Sequence, residues 1–250
     1  MDKKIVHDAR DCFEPYNLFD GKAALYKYRA NYSNECIEYL CKKYRITSSS
    51  TIADIGGGTG ILSKQFHDYS GCQIILVEPN MEMISEAKSQ INDNYAKIIC
   101  STAEETQIPD SSTDLIVVGT AFHWFEMNKF REECIRIGKK PVQVALLRLY
   151  NFVPDINADN SSDYHSIDSE AHRAKGFFDN DNMTHKLFFH DEVFDEHRFV
   201  GERLSDHNAP NKLDEGYDKF VSDAKKAFAY FKAPIINNVF ITSCMDGDIE

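Results

Sequence analysis

The chain has 250 residues and a formal net charge of −12, with 42% hydrophobic and 12% aromatic residues. This composition suits one globular α/β domain with a small cap, and so acidic a surface disfavours nucleic acid as a partner. No apolar run approaches the roughly 20 residues of a membrane helix, which argues against a membrane partner.

The seven cysteines indicate a reducing compartment. Their number is odd and no two stand in CxxC spacing, so a disulfide framework is not expected. The four histidines of the polar insertion, His165, His172, His185 and His190, match no tight metal-ligand spacing, so no metal site is expected either. The first residues, MDKKIVHDARD, lack the apolar stretch of a signal peptide. We therefore expect a cytoplasmic protein.

Short apolar runs alternate with helical patterns in the first 150 residues. The predicted strands are 51–55, 73–77, 96–100, 114–118 and 142–147, and the predicted helices are 34–46, 61 onward, 81–91 and 128–137. Strands that are apolar throughout and alternate with helices form a parallel sheet covered on both faces. Right-handed crossovers make that sheet doubly wound, so the predicted fold is Rossmann-like α/β.

The composition changes after residue 151. Residues 154–185 are rich in Asp, Asn, Ser and His, which predicts an exposed insertion, and the acidic stretch up to residue 195 reads as a solvated surface. Amphipathic helices are predicted at 195–204 and 217–231, and an antiparallel strand at the sheet edge at 238–245. The predicted organisation is a helical lid (1–50), a Rossmann-like core (51–151), a polar insertion with a helical cap (152–236) and a C-terminal strand (237–250).

A glycine-rich turn follows the first predicted strand, in the run DIGGGTG from Asp54 to Gly60. Glycines let a backbone approach a ligand closely at the carboxyl end of a strand, where open α/β sheets bind ligands. The alternative is a tight turn without a ligand. Glu78 ends the second strand, where a carboxylate accepts the hydroxyls of an adenosine ribose or simply favours a helix N-terminus. The two features together favour a nucleoside ligand.

A dinucleotide would also suit these features, so a nicotinamide or flavin protein is the rival reading. The glycine spacing is GxGxG and not the GxGxxG of pyrophosphate-binding turns. Asp54, two residues before the first glycine, would repel a pyrophosphate but suits a ligand that carries sulfonium and ammonium groups.

The motifs resemble those of the class I S-adenosylmethionine (SAM)-dependent methyltransferases. IADIGGGTG resembles their motif I, VEPNMEMI resembles their second motif, and AEETQIPDSSTDLIVVGTAFHWF resembles a segment of the type 11, small-molecule branch near the ubiquinone-biosynthesis and trans-aconitate methyltransferases. The segment YKYRANYS is similar to that branch's YxxYRPxYP entry motif, with Ala30 and Ser33 in place of its prolines. The resemblance implies that Tyr26 and Arg29 close over the cofactor, with Arg29 pairing with its carboxylate.

SAM is the cofactor that the resemblance implies, and S-adenosylhomocysteine (SAH) its product. Gly56 and Gly58 would pass the methionine part and the ribose, and Thr120 would present a backbone group to the methionine. Asp54 would orient the glycine turn or meet the ammonium group through water.

The remaining implied positions surround the adenosine. Glu78 would hold the ribose hydroxyls, while Pro79 and Met81 would line one face of the adenine. Ala103 would hydrogen-bond the adenine edge through its backbone, and Glu104 would lie beside the exocyclic amine.

Methyl transfer from a sulfonium is an in-line displacement that requires alignment and exclusion of water. A base is needed only for an acceptor that arrives protonated. His123 is the candidate base, and a packing role at the strand end is its alternative. The expected function is methyl transfer to O, N or C of a small molecule; the alternatives are a nicotinamide-dependent oxidoreductase and a non-catalytic SAM-binding module.

Overall fold

A computed structural model describes residues 18–152, 161–178 and 182–250. Within them, seven strands and seven α-helices follow one another along the chain. The elements are α1 (Asn34–Lys43), β1 (Thr51–Ile55), α2 (Ile61–Ser70), β2 (Gln73–Val77), α3 (Met81–Gln90), β3 (Ala96–Ile99), β4 (Leu115–Gly119), α4 (Met127–Ile137), β5 (Val142–Phe152), α5 (Ser161–Phe177), β6 (Thr184–Asp195), α6 (Glu196–Leu204), α7 (Tyr217–Ala229) and β7 (Ile235–Ile249).

The strands form one sheet in the order β3-β2-β1-β4-β5-β7-β6. The pairs β1–β2, β1–β4, β2–β3 and β4–β5 are parallel, which confirms the predicted doubly wound α/β fold. The order reverses between β1 and β4, and the carboxyl ends of these two strands open onto one crevice. Ligands of open α/β sheets bind at such a switch point.

Most side chains on both faces of the parallel part of the sheet are buried, as its mainly apolar strands require. In β4, Ile116 and Val118 pack on the side of α4 and α5, whereas Leu115 and Val117 pack on the side of α1 and α2. All four side chains are fully buried. The core therefore consists of two layers with the sheet between them.

The carboxyl-terminal half corrects two sequence predictions. Strand β7 does not add to the edge of the sheet: it lies between β5 and β6 and pairs antiparallel with both. The polar stretch up to residue 195 is not simply a solvated surface, because residues 184–195 form β6, the edge strand. An edge strand tolerates polar side chains because one of its faces remains in water, and so its sequence lacks the apolar run of a central strand.

A helical cap lies over the crevice and consists of α6, α7 and the short 3-10 helix Ala23–Tyr28. Val200, Leu204 and Ala224 form one buried cluster with Leu25 against it. A second cluster joins the cap to the sheet through aromatic side chains, namely Phe194, Phe199, Phe228, Phe231 and Phe240. The described helices include none that is both long and apolar enough to cross a membrane.

Candidate functional site

The glycine turn after β1 depends on backbone angles that only glycine adopts without strain. Gly56, Gly58 and Gly60 have φ angles of 68°, 55° and 85°. A Cβ atom on Gly56 would stand 2.7 Å from the Cβ of Ala121, so glycine is needed there to let the loop after β4 approach. A Cβ on Gly58 would meet only Tyr26, at 3.9 Å. The turn therefore leaves open space on its outer side.

Glu78 ends β2 beside this turn. Its Oε2 accepts a hydrogen bond from the Gly58 N–H at 3.0 Å, and its Oε1 accepts one from the Asn80 N–H at 2.9 Å. Burial raises the pKa of Glu78 to about 7, although these two bonds oppose the rise. Each carboxylate oxygen keeps a further lone pair for a ligand hydroxyl.

Asp54 lies under the turn and is completely buried. Its Oδ2 accepts a hydrogen bond of 2.7 Å from the Ser63 hydroxyl in the first turn of α2, while its Oδ1 has no partner among the described residues. Burial raises the pKa of Asp54 to about 6. The bond to Ser63 fits the first predicted role, orientation of the turn, and the Oδ1 without a partner keeps the second role, contact with the ammonium group through water, open.

The segment that contains Tyr26 and Arg29 crosses above the glycine turn. The guanidinium of Arg29 stacks on the Tyr26 ring at 4.1 Å. The same guanidinium donates to the Ser205 hydroxyl and to the Ser205 carbonyl, both at 2.9 Å. These contacts join the entry segment to the end of α6 and close the crevice from above.

Thr120 follows β4 with a φ angle of 56°, a strained value for a non-glycine residue. Its hydroxyl pairs with the Tyr32 hydroxyl at 2.9 Å and accepts from the Leu149 N–H at 3.3 Å. Its own N–H donates to the Leu147 carbonyl at 2.7 Å. Such strain persists only where neighbouring contacts hold it, and it is frequent at binding sites.

The turn, β2, β4 and the cap line an open cavity of about 1810 Å³. Eight of the predicted cofactor-binding residues line it: Tyr26, Arg29, Asp54, Gly56, Gly58, Glu78, Pro79 and Thr120. The cavity exceeds the roughly 300–1,000 Å³ of a pocket for one ligand.

Three predicted residues are not among the cavity lining. Met81 is 45% exposed, and Met83, two residues later, occupies the wall instead. The helical period of α3 turns Met83 inward. This periodicity is present in the sequence, but the prediction followed the family resemblance and chose Met81. Ala103 is buried, and the Glu104 carboxylate accepts the Glu126 N–H at the start of α4 at 2.9 Å.

His123 is held by arginines on two sides. Arg148 Nη1 lies 2.7 Å from His123 Nδ1, and the Arg173 guanidinium donates to the His123 carbonyl. Burial, followed by the charge of Arg148, lowers the pKa of His123 to about 4. A guanidinium only donates, so Nδ1 is the acceptor and Nε2 of the neutral ring carries the proton. These contacts favour the packing role over that of a base.

Sequence reasoning offered Trp124 equally as an aromatic that stacks on a ligand and as a core residue, but it missed the other residues at this part of the cavity. Arg148 stands in the apolar run of β5, and a charge at that position is a signal that was available in the sequence. Phe19 and Trp124 line the cavity, and their ring centroids lie 5.9 Å apart. The ring centroid of His207 lies 5.4 Å from that of Trp124. Glu202 of α6 also lines the wall. These residues come from distant parts of the chain, so no local pattern links them.

Comparison with known proteins agrees with this geometry. Residues 53–145 match the methyltransferase domain family. An uncharacterised methyltransferase of Schizosaccharomyces pombe is 28% identical over 121 residues, which are 48% of this chain and 47% of that protein. The chain thus spans about half the length of this curated relative.

Two solved structures superpose on most of this chain. A candidate type II methyltransferase from Anaeromyxobacter dehalogenans superposes with a TM-score of 0.60 at 16% identity, over 88% of this chain and 97% of that one. Phosphoethanolamine N-methyltransferase 2 of Haemonchus contortus, solved with phosphomonomethylethanolamine and SAH, superposes with a TM-score of 0.54 at 16% identity, over 98% and 61%.

The fold is the Rossmann-like α/β fold of these solved structures. The match of residues 53–145 to the methyltransferase domain family agrees with the resemblance found in the sequence.

Proposed function

We propose that this protein is a SAM-dependent methyltransferase that transfers a methyl group by in-line displacement to O, N or C of a small-molecule acceptor. One observation carries the proposal. The Glu78 carboxylate is fixed against the glycine turn by the Gly58 and Asn80 N–H groups, at the edge of a cavity where the sheet order reverses. A carboxylate fixed there with spare lone pairs is an acceptor for the two hydroxyls of a ribose.

The residues present fit SAM in charge as well as in shape. The ligand carries a sulfonium and an ammonium group, and the two buried carboxylates nearest the turn, Asp54 and Glu78, compensate positive charge. A Cβ atom on Gly58 would meet only Tyr26, at 3.9 Å, which supports close approach of a ligand to this part of the turn. When bound, SAM supplies a methyl group already activated by its positive sulfur.

The chain's own residues align the reactants and exclude water. Tyr26 and Arg29 cover the turn, and orientation of this kind supplies up to roughly 7–11 kcal/mol of a barrier. The volume of about 1810 Å³ leaves room for a second molecule beside the cofactor. We infer that this second molecule is the methyl acceptor and that it lies under the cap.

A location in the cytoplasm is part of the proposal. Five of the described cysteines, Cys36, Cys41, Cys72, Cys134 and Cys244, are free and buried thiols. Free and mostly buried cysteines are typical of proteins from reducing compartments.

Calorimetric titration with SAH tests the cofactor assignment, with NADH as the parallel ligand. We expect micromolar binding of SAH, no binding of NADH, and loss of SAH binding in Glu78→Ala. Glu132→Ala, on the exposed side of α4, is the matched control and should bind SAH as the wild type does. Binding of NADH instead of SAH would refute the proposal in favour of an oxidoreductase. SAH binding without SAH formation from SAM on any acceptor tested would indicate a non-catalytic module.

A further inference from the structure

One face of α6 forms part of the cavity wall above the glycine turn. Phe199, Glu202 and Ser205 follow at intervals of three residues and share that face. Ser205 binds Arg29, and Arg29 stacks on Tyr26, whose ring lies 3.9 Å from the Cβ position of Gly58. This chain of contacts places Glu202 over the part of the cavity that adjoins the proposed cofactor.

Most other carboxylates that line the cavity already have hydrogen-bond or ion-pair partners. Glu78 accepts two backbone N–H groups, Asp54 accepts a serine hydroxyl, and Asp223 is paired with Lys219 and Lys226. The carboxylate of Glu202, by contrast, has no hydrogen bond or ion pair to any residue that the structure describes. A partly buried carboxylate without a partner is costly unless a ligand supplies a cation or a donor.

The cationic side chains around Glu202 form their contacts with other residues and do not pair with its carboxylate. Arg29 is bound to Ser205, and Arg198 is paired with Glu192. Arg203 packs its guanidinium over the Phe199 ring at 4.4 Å. Burial raises the pKa of Glu202 above its ordinary value. The three cations lower this pKa and the charge of Asp206 raises it, but the effect of burial is larger.

The wall beside Glu202 is mostly aromatic and aliphatic. It includes Leu149, Phe199, Phe220, Tyr230, Phe231 and Phe240. Aromatic faces attract cations as well as apolar groups. An apolar body with a cationic head therefore matches both properties of this part of the cavity.

We propose that Glu202 binds the amino group of an apolar amine acceptor and takes its proton during methyl transfer. This inference rests on the proposed function and narrows its acceptor to nitrogen. The ammonium group of the acceptor gives one proton to the Glu202 carboxylate. The freed nitrogen lone pair then forms the bond to the methyl carbon, and the electron pair of the breaking carbon–sulfur bond stays on sulfur. The proton afterwards passes from Glu202 to water. His123 does not serve here, because its Nδ1 already accepts from Arg148.

Binding of three probes with the same aromatic body tests this inference without requiring turnover. Phenethylamine, 2-phenylethanol and 3-phenylpropanoate are titrated into protein saturated with SAH. The wild type should bind the amine about tenfold more tightly than the carboxylate, because only the amine can form a charge-assisted hydrogen bond with Glu202. Glu202→Gln should lose about tenfold in affinity for the amine and little for the alcohol.

Two controls separate the possible outcomes. Glu196→Gln, on the same helix and exposed, should retain the affinity of the wild type for the amine. SAH affinity reports whether the Glu202 variant is folded and whether the proposed function holds. An unchanged affinity for the amine in a Glu202→Gln protein that binds SAH, or a preference for the carboxylate probe, overturns this inference alone. Failure of the wild type to bind SAH overturns the proposed function and this inference with it.

Discussion

Replacement of Glu78 by glutamine should stabilise the protein without cofactor at pH 8 while abolishing tight cofactor binding. The carboxyl of Glu78 is buried, with a pKa raised from its ordinary 4.5 to about 7 by burial first and by the nearby Asp54 charge. A carboxyl with a raised pKa stabilises the folded state fully only below its unfolded pKa. That contribution is lost as the pH rises from 4.5 through about 7.

The size of the effect follows from the two pKa values. Ionised Glu78 costs the folded state about 3 kcal/mol at pH 8 and about 1 kcal/mol at pH 5.5. Glutamine removes this cost but has only one acceptor oxygen for the Gly58 and Asn80 N–H groups, a loss of about 1 kcal/mol. The E78Q variant should therefore gain about 2 kcal/mol at pH 8 and almost nothing at pH 5.5.

Thermal unfolding of the cofactor-free protein at the two pH values measures this difference. For a chain of this length, about 2 kcal/mol corresponds to a rise in Tm of roughly 4–8 °C. The exposed E132Q variant should leave Tm unchanged at both pH values. An E78Q effect of equal size at pH 5.5 and pH 8 would show that the ionisation of Glu78 is not its cause, and the reasoning would be wrong.

Three further predictions concern the site. SAH affinity should rise between pH 5.5 and pH 8, because the ribose hydroxyls need the ionised form of Glu78; a flat calorimetric profile would contradict this. G56A should lower the free energy of unfolding in urea by about 3 kcal/mol, because it combines backbone strain with a steric clash. Gly216 also has a positive φ, 90°, but no atom of the described residues lies within 4 Å of its Cβ position, so G216A should lower the free energy of unfolding by about 1 kcal/mol. Equal losses in the two variants would show that the clash at Gly56 does not contribute. R148M should raise the pKa of His123 from about 4 while burial keeps it below 6.5, as an NMR titration of the imidazole will show; an unaltered pKa would mean that the guanidinium does not act on the ring.

The sequence was sufficient for the parallel half of the sheet because most of its strands are short and mainly apolar, and because glycine or glutamate ends or follows β1, β2 and β4. The pattern around Asp54–Gly60 and Glu78 placed the turn and the carboxylate at adjacent strand ends, and the structure brings them within one hydrogen bond of each other. Local patterns sufficed because each feature is encoded within a few residues.

The other half of the sheet was not predictable in the same way. Strand β6 is an edge strand whose exposed side chains break the alternation of a buried strand, and β7 owes its central position to pairing partners far away in sequence. The contacts of His123 with Arg148 and Arg173 likewise span 25 and 50 residues. The cavity wall is built from such distant segments, and Glu202 is one of its residues. Which residues form this wall can therefore be identified only from the three-dimensional structure.

The two carboxylates at the carboxyl ends of β1 and β2 connect the stability of the site to its function. Both Asp54 and Glu78 are buried, and both have a raised pKa, so their charged forms are unfavourable as long as no cation lies nearby. A ligand that carries a positive sulfonium and donates two hydroxyl hydrogens relieves this cost, and the relief becomes part of its binding free energy. A neutral product such as SAH lacks the sulfonium charge and should gain less of that relief, so the same burial that destabilises the empty site favours exchange of product for fresh cofactor.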